Sequence, residues 1–231
     1  MAYPLTRPRS GRQIVSLLAA LIFSASGAAA APQRSVSANT ITSQSDPAAS
    51  IRLPDDVTYV GTDTFLLTKP KLGKFDACEL YAFASGGADG SLRKVYWVQF
   101  EHYLPKYPDL HFTYDSPNHV TIDGLDFYVD VNVTQGDAEP DPGSDGDHFY
   151  TLLAKHGYKR VPMMYVRFVH LLDAAKRKEL MVIVGEALPD GLTAAAIKEG
   201  GATHARWPAM EKDFVARAAH SITITPHPQP E

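Results

Sequence analysis

The chain has 231 residues, 45% of them hydrophobic, and a net charge of −4 that becomes −7 without residues 1–31, which hold Arg7, Arg9, Arg12 and no acid. That balance argues against nucleic acid and anionic membrane surfaces as partners. With a single cysteine, Cys78, no intramolecular disulfide framework is available, so the fold must rest on its core, and the length is right for one domain.

Residues 1–31 read as an export signal. The three arginines precede the apolar run Ile14–Phe23, and Ala28-Ala29-Ala30-Ala31-Pro32 offers a small-residue cleavage site. The apolar core is shorter than the ~20 residues a spanning helix needs. The expectation is a secreted or periplasmic mature chain with no stable membrane anchor after cleavage. Residues 32–52 are small and polar without apolar periodicity, the signature of a disordered leader. At the other end, the alternating prolines of 225–231 read as a tail.

Between them lies a single domain over 53–224. Its first half reads as strands at 57–67, 75–84, 92–103, 119–122 and 126–134, bounded by Gly, Pro, Asp or Asn. Apolar neighbours around Cys78 favour a buried thiol over an intermolecular disulfide. Next comes a helix opened by Asp145-Gly146-Asp147, with Phe149, Leu152, Leu153 and His156 on one face and Gly157 as its stop. The apolar runs 161–172 and 179–187, joined by the charged segment 173–178, suit an antiparallel hairpin, with one continuous helix through 170–184 as the competing reading. A short helix over 193–198 follows. The last helix starts at Trp207-Pro208 and carries Trp207, Met210, Phe214 and Ala218 down one side. Strands first and helices later predict an α+β fold: a mainly antiparallel sheet of about six to seven strands with two to three helices packed on one face.

The best functional lead is the alternation of side chains across the strands. In 126–134 the residues Phe127, Val129, Val131 and Val133 form an apolar face, opposite Tyr128, Asp130 and Asn132. In 95–102 Tyr96, Val98 and Phe100 oppose Trp97, Gln99 and Glu101. If the two strands are neighbours in one sheet, Trp97, Gln99, Glu101, Tyr128, Asp130 and Asn132 form one surface of aromatics and polar groups, suited to a small polar ligand. Arg167 interrupts a run that is apolar on both phases, so its guanidinium should be largely buried against Glu101, Asp130 or Glu186. The same charges also fit a structural ion-pair network.

Other chemistries find less support. Asp141-Pro142-Gly143-Ser144-Asp145-Gly146-Asp147 begins like a calcium loop, but Gly143 stands at position 3 and Leu152 where a bidentate Glu belongs. Only a looser calcium site around Asp141, Asp145 and Asp147, with Asp137 and Glu139 near, stays open. The nine histidines include no H-E-x-x-H; convergence of His102, His111 and His119 would be needed for zinc. Ser91-Leu92-Arg93-Lys94 matches S-x-x-K, but it starts a strand where that nucleophile must start a helix. No G-x-S-x-G or phosphate-binding glycine loop occurs, and no cofactor is implied. Two expectations follow. The first is an exported, non-enzymatic domain binding a small polar ligand or an envelope partner on the sheet face. The second is a hydrolase of extracellular or envelope substrates, with Glu101 and Asp130 as acid and base and Arg167 orienting the substrate.

Overall fold

Two antiparallel sheets and three helices make up the computed structural model, which describes residues 33–227. The strands and helices, in chain order, are β1 (Arg34–Ser37), β2 (Thr40–Ser43), β3 (Ala49–Arg52), β4 (Thr58–Lys69), β5 (Gly73–Gly86), β6 (Leu92–Tyr103), β7 (His119–Ile122), β8 (Leu125–Thr134), α1 (Asp145–Lys155), β9 (Met163–Leu171), β10 (Lys178–Ala187), α2 (Ala194–Ile197), α3 (Trp207–His220) and β11 (Thr223–Pro226). The larger sheet has the order β4-β5-β6-β10-β9-β8-β7 and the smaller one β1-β2-β3-β11. Two meanders, β4–β6 and β7–β10, are thus joined through the β6–β10 pair. The export signal read from residues 1–31 lies outside the described residues.

The large sheet is covered on both faces, which is why β9 and β10 are apolar on both phases. One face presents Tyr81, Phe83, Tyr96, Val98, Phe100, Val166, Phe168, Leu180 and Val182 to a core completed by Ile41, Ile51 and Ile224 of the small sheet and by Phe214 and Ala218 of α3. The opposite face presents Cys78, Leu80, Val95, Trp97, Val169 and Met181, and Phe149 and Leu153 of α1 close over it. The α+β class and the antiparallel sheet are therefore as read. The helices, however, divide between the two faces instead of sharing one.

Several boundaries fall where the residue pattern placed them, among them β6, β7 and the β9–β10 hairpin, which excludes a continuous helix through 170–184. Helix α1 starts as expected but is capped differently. Ser144 Oγ accepts from the Asp147 amide at 3.2 Å, while the Asp147 carboxylate accepts from the Gly143 amide at 2.8 Å. Gly157 ends the turn at φ +80°, a conformation that favours glycine.

The expected leader is the principal correction. Residues 34–52 form three strands, and the start of the expected tail, Thr225–Pro226, belongs to β11. Each of these short strands brings little apolar surface, so none signals itself in sequence. Together they bury Ile41, Ile51 and Ile224 against the large sheet. Arg34 adds a specific anchor. Its Nη1 donates to Glu79 at 2.6 Å, its Nη2 to the carbonyls of Ser45 and Asp46 at 3.1 Å, and its guanidinium lies 3.9 Å from the centroid of Phe100. These contacts offset an ordering entropy that composition alone could not.

The segment between β6 and β7, residues 104–118, has no regular structure and crosses the end of the α1 face. Arg177, in the turn of the β9–β10 hairpin, holds it by donating to the carbonyls of Tyr103, Leu104, Tyr107 and Leu110. A residue of the charged segment joining the hairpin therefore ties a loop to the sheet.

Candidate functional site

Strand alternation puts Trp97, Gln99 and Glu101 of β6 on the α1 face, and a hydrogen-bonded ladder fixes them there. Trp97 Nε1 donates to Gln99 Oε1 at 2.7 Å, and Gln99 Nε2 donates to Glu101 Oε1 at 2.8 Å. The indole is also stacked on Phe149 of α1, with centroids 4.5 Å apart. Buried polar groups paired in this way hold one rotamer each.

At the Glu101 end the strands gather acids. Register places Cys78 of β5 opposite Glu101 on one side and Glu179 of β10 opposite it on the other, with Asp76 one alternation before Cys78. Asp76 and Glu179 are 2% exposed, Glu101 7% and Cys78 1%. No salt bridge among the described residues involves any of these acids. Tyr114, from the covering loop, donates its hydroxyl to Glu179 Oε2 at 2.5 Å. Asp76 Oδ1 is buried and meets no hydrogen-bond donor.

Electrostatics follow from that geometry. Burial, then the charge of Asp145 on α1, pushes Asp76 up to about 6. Burial raises Glu179 to about 7 against the stabilising Tyr114 hydrogen bond. Burial, then Glu179 and Asp76, holds Glu101 well above the usual carboxylate range, and burial together with Glu101 drives the Cys78 thiol upward. Desolvation and like charge act together here, and both favour the neutral forms.

The other end of the face is open. Trp97, Asp130, Asn132, Thr134, Tyr150, Tyr165, Arg167 and Ile183 line a cavity of about 360 Å3. Arg167 and Asp130 are directly paired across β9 and β8, and Arg167 Nη2 donates to Asp130 Oδ2 at 2.6 Å. Each side chain of that pair is 42% exposed, so Arg167 is half-open to the cavity and not largely buried as the apolar run implied. The hydroxyls of Tyr150 of α1 and Tyr165, two residues before Arg167 on the same face of β9, lie 2.8 Å apart. Tyr114 links the two ends, because its ring lies 5.5 Å from the Arg167 guanidinium while its hydroxyl meets Glu179.

No family model, curated protein or solved structure matches the chain. The geometry therefore carries the functional reading by itself.

Of the seven residues singled out in sequence, four line this cavity: Trp97, Asp130, Asn132 and Arg167. Gln99 and Glu101 lie along the ladder, and Tyr128 sits against Tyr114 and His119, at centroid distances of 5.5 and 4.4 Å. Glu101 and Asp130 share a face, but β10 and β9 separate their strands, a lateral distance of about 14 Å at ~4.8 Å per strand. That span exceeds the carboxylate separations, up to about 9.5 Å, used by paired-acid glycosidases. Asp141, Asp145 and Asp147 do not converge as a calcium site. Among the described residues the group whose donor atoms lie within 4.8 Å of one another is Asp76, Cys78 and Glu101. His119 pairs with Asp126 at 3.0 Å, and His102, His111 and His119 do not gather.

Asp76, Glu179, Tyr114, Tyr150 and Tyr165 were missed. For two of them a signal existed, since Asp76 and Glu179 interrupt apolar strands just as Arg167 does. Tyr165 shares parity with Arg167 and was equally accessible to that reasoning. Tyr114 and Tyr150 reach the face from a loop and a helix, which strand alternation cannot place.

Proposed function

We propose that the mature chain is an exported, non-enzymatic binding protein for a small hydroxylated or carboxylate-bearing ligand, held in the cavity between Arg167 and the Tyr150–Tyr165 pair. Export rests on the basic and apolar pattern of residues 1–31. The observation that carries the binding reading is the half-exposed Arg167 lining an aromatic-walled cavity of about 360 Å3. That volume falls in the range of small-molecule sites, and an apolar wall with a few convergent polar groups is their usual composition. Asp130 engages one terminal nitrogen of Arg167. The remaining guanidinium donors suit ligand oxygens, and Asn132 and Thr134 add neutral partners. Tyr and Trp rings supply flat surfaces against which a sugar ring or short carbon chain packs.

A hydrolytic reading lacks its acid/base pair, because Glu101 is three strands from Asp130 and covered. Binding is tested by melting the mature chain with monosaccharides, amino acids or short dicarboxylates at millimolar concentration. One class should raise the melting temperature saturably, and Arg167→Met should abolish the rise. The reading fails if none of these classes shifts the transition, or if the shift survives in Arg167→Met.

A further inference from the structure

The acidic end of the same face has a chemistry the ligand cavity does not use. Cys78 and Glu101 are direct cross-strand neighbours and Asp76 is one alternation away, so a thiol and two carboxylates project to one side of two adjacent strands. A donor atom from each lies within 4.8 Å of the other two. Glu179 flanks them from β10, and Asp145 on α1 adds a further negative charge toward the group. The cations nearest this face are otherwise engaged or weakly felt: Arg167 is paired with Asp130, and Lys69 contributes only a minor interaction with Asp76.

One alternation along the same strand, the neutral Gln99 satisfies its neighbours without charge. An acid at 101, with Asp76 and Glu179 beside it, incurs a desolvation cost that a counterion or a retained proton must offset. Asp76 Oδ1, buried and without a donor, points to an unfilled valence on the protein side. The mixed donor set then selects the cation. Carboxylates alone suit calcium or magnesium, whereas a thiolate with two carboxylates suits a borderline divalent ion.

We propose that Asp76, Cys78 and Glu101 form a binding site for a divalent transition-metal ion of the zinc class, with Glu179 as the adjacent carboxylate. Tetrahedral bonds of about 2.0–2.3 Å place donors about 3.3–3.8 Å apart, so side-chain rotations closing the present spacing by about 1 Å complete the shell. Binding displaces the Cys78 thiol proton and any proton held by Glu101 into solvent, and the three anionic ligands then hold the dication. This proposal does not depend on the ligand cavity, whose residues it does not share.

The test is titration of the chelator-treated mature chain with Co2+, followed by Zn2+. The expected result is one Co2+ per chain, a near-ultraviolet thiolate-to-cobalt absorption, its loss when Zn2+ is added, and a rise in melting temperature. Cys78→Ser should fold in chelator and lose the thiolate absorption. Glu101→Gln, which retains the shape and a hydrogen-bonding group, should lose at least tenfold in affinity. Absence of stoichiometric Co2+ binding by the unmodified chain overturns the proposal. So does an unchanged absorption in Cys78→Ser or an unchanged affinity in Glu101→Gln. Ca2+ raising the melting temperature of the unmodified chain and Cys78→Ser equally, with no thiolate band, would mean a carboxylate-only site and also overturn it. If Cys78→Ser does not fold, the affinity of Glu101→Gln decides.

Discussion

The two faces of the large sheet are built on the same strands yet obey different rules. Under the small sheet and α3, most alternate residues of β5, β6, β9 and β10 are aromatic or aliphatic, Glu79 being held there by Arg34 and Tyr81, and Phe83, Val98, Val166, Phe168, Leu180 and Val182 are fully buried. Under α1 and the 104–118 loop, the intervening residues of those strands include Asp76, Glu101, Gln99, Arg167 and Glu179. The first face contributes stability through apolar burial. The second retains buried charge that opposes folding, and it is the face that also holds the cavity. When one side of a sheet is largely apolar, it supplies the stability that lets the other side carry costly polar chemistry.

The sharpest way to break this comparison is to damage the apolar face. Phe214 on α3 is fully buried in that core. Phe214→Ala is expected to cost about 3–5 kcal/mol, read by chemical denaturation. A loss below about 1 kcal/mol would show that the first face is not the main source of stability.

The second face should reveal itself through pH. In the metal-free chain, Asp76 sits at about 6, raised from 3.8, and Glu179 at about 7, raised from 4.5. A carboxyl group whose folded value is raised binds more protons folded than unfolded. Its stabilising contribution is therefore complete below the unfolded value and lost as pH rises through the folded one. Stability measured in chelator should fall between pH 4 and pH 8, with Asp76 alone accounting for about 3 kcal/mol. The groups around them act in known directions: Asp145 raises both values and Asp76 raises that of Glu179, while a hydrogen bond with Glu101 lowers that of Asp76 and Tyr114 and Arg167 lower that of Glu179. Glu101→Gln should flatten the profile. Stability that instead rises through this window would show that these acids ionise without cost.

The smallest expected effect is at the cavity. The Arg167–Asp130 pair is 42% exposed on both sides, so Arg167→Met should change stability by less than about 1 kcal/mol. A thermal melt showing several kcal/mol lost would assign Arg167 to the structural network of the second face and not to ligand binding.

Much of this was legible in the residues themselves. Strict alternation puts Trp97 and Glu101 on one side of 95–102 and Asp130 and Asn132 on one side of 126–134, because period-2 geometry leaves little choice once a strand is identified, whereas their common face depends on strands β10 and β9 that lie between. Asp130, named as one of three partners for Arg167, proved to be the one at hydrogen-bond distance. Asp76 and Glu179 interrupt apolar strands in the same way, so the buried acidic group carries a signal of the same kind in its alternation.

By itself the sequence determined the strand and helix types, the hairpin at 161–187, and the side of each strand on which its polar residues lie. These are consequences of local periodicity and turn chemistry, which act over a few residues. Only the tertiary structure decided that 34–52 folds, that helices cover both faces, and that Glu101 meets Asp76 and Glu179 while Asp130 lies three strands away. Those outcomes depend on strand order and on contacts between segments distant in the chain, such as Arg34 with Glu79 and Phe100. Beyond tight hairpins, local pattern carries no information about which strands become neighbours, because pairing free energy is gained only when the distant partners meet.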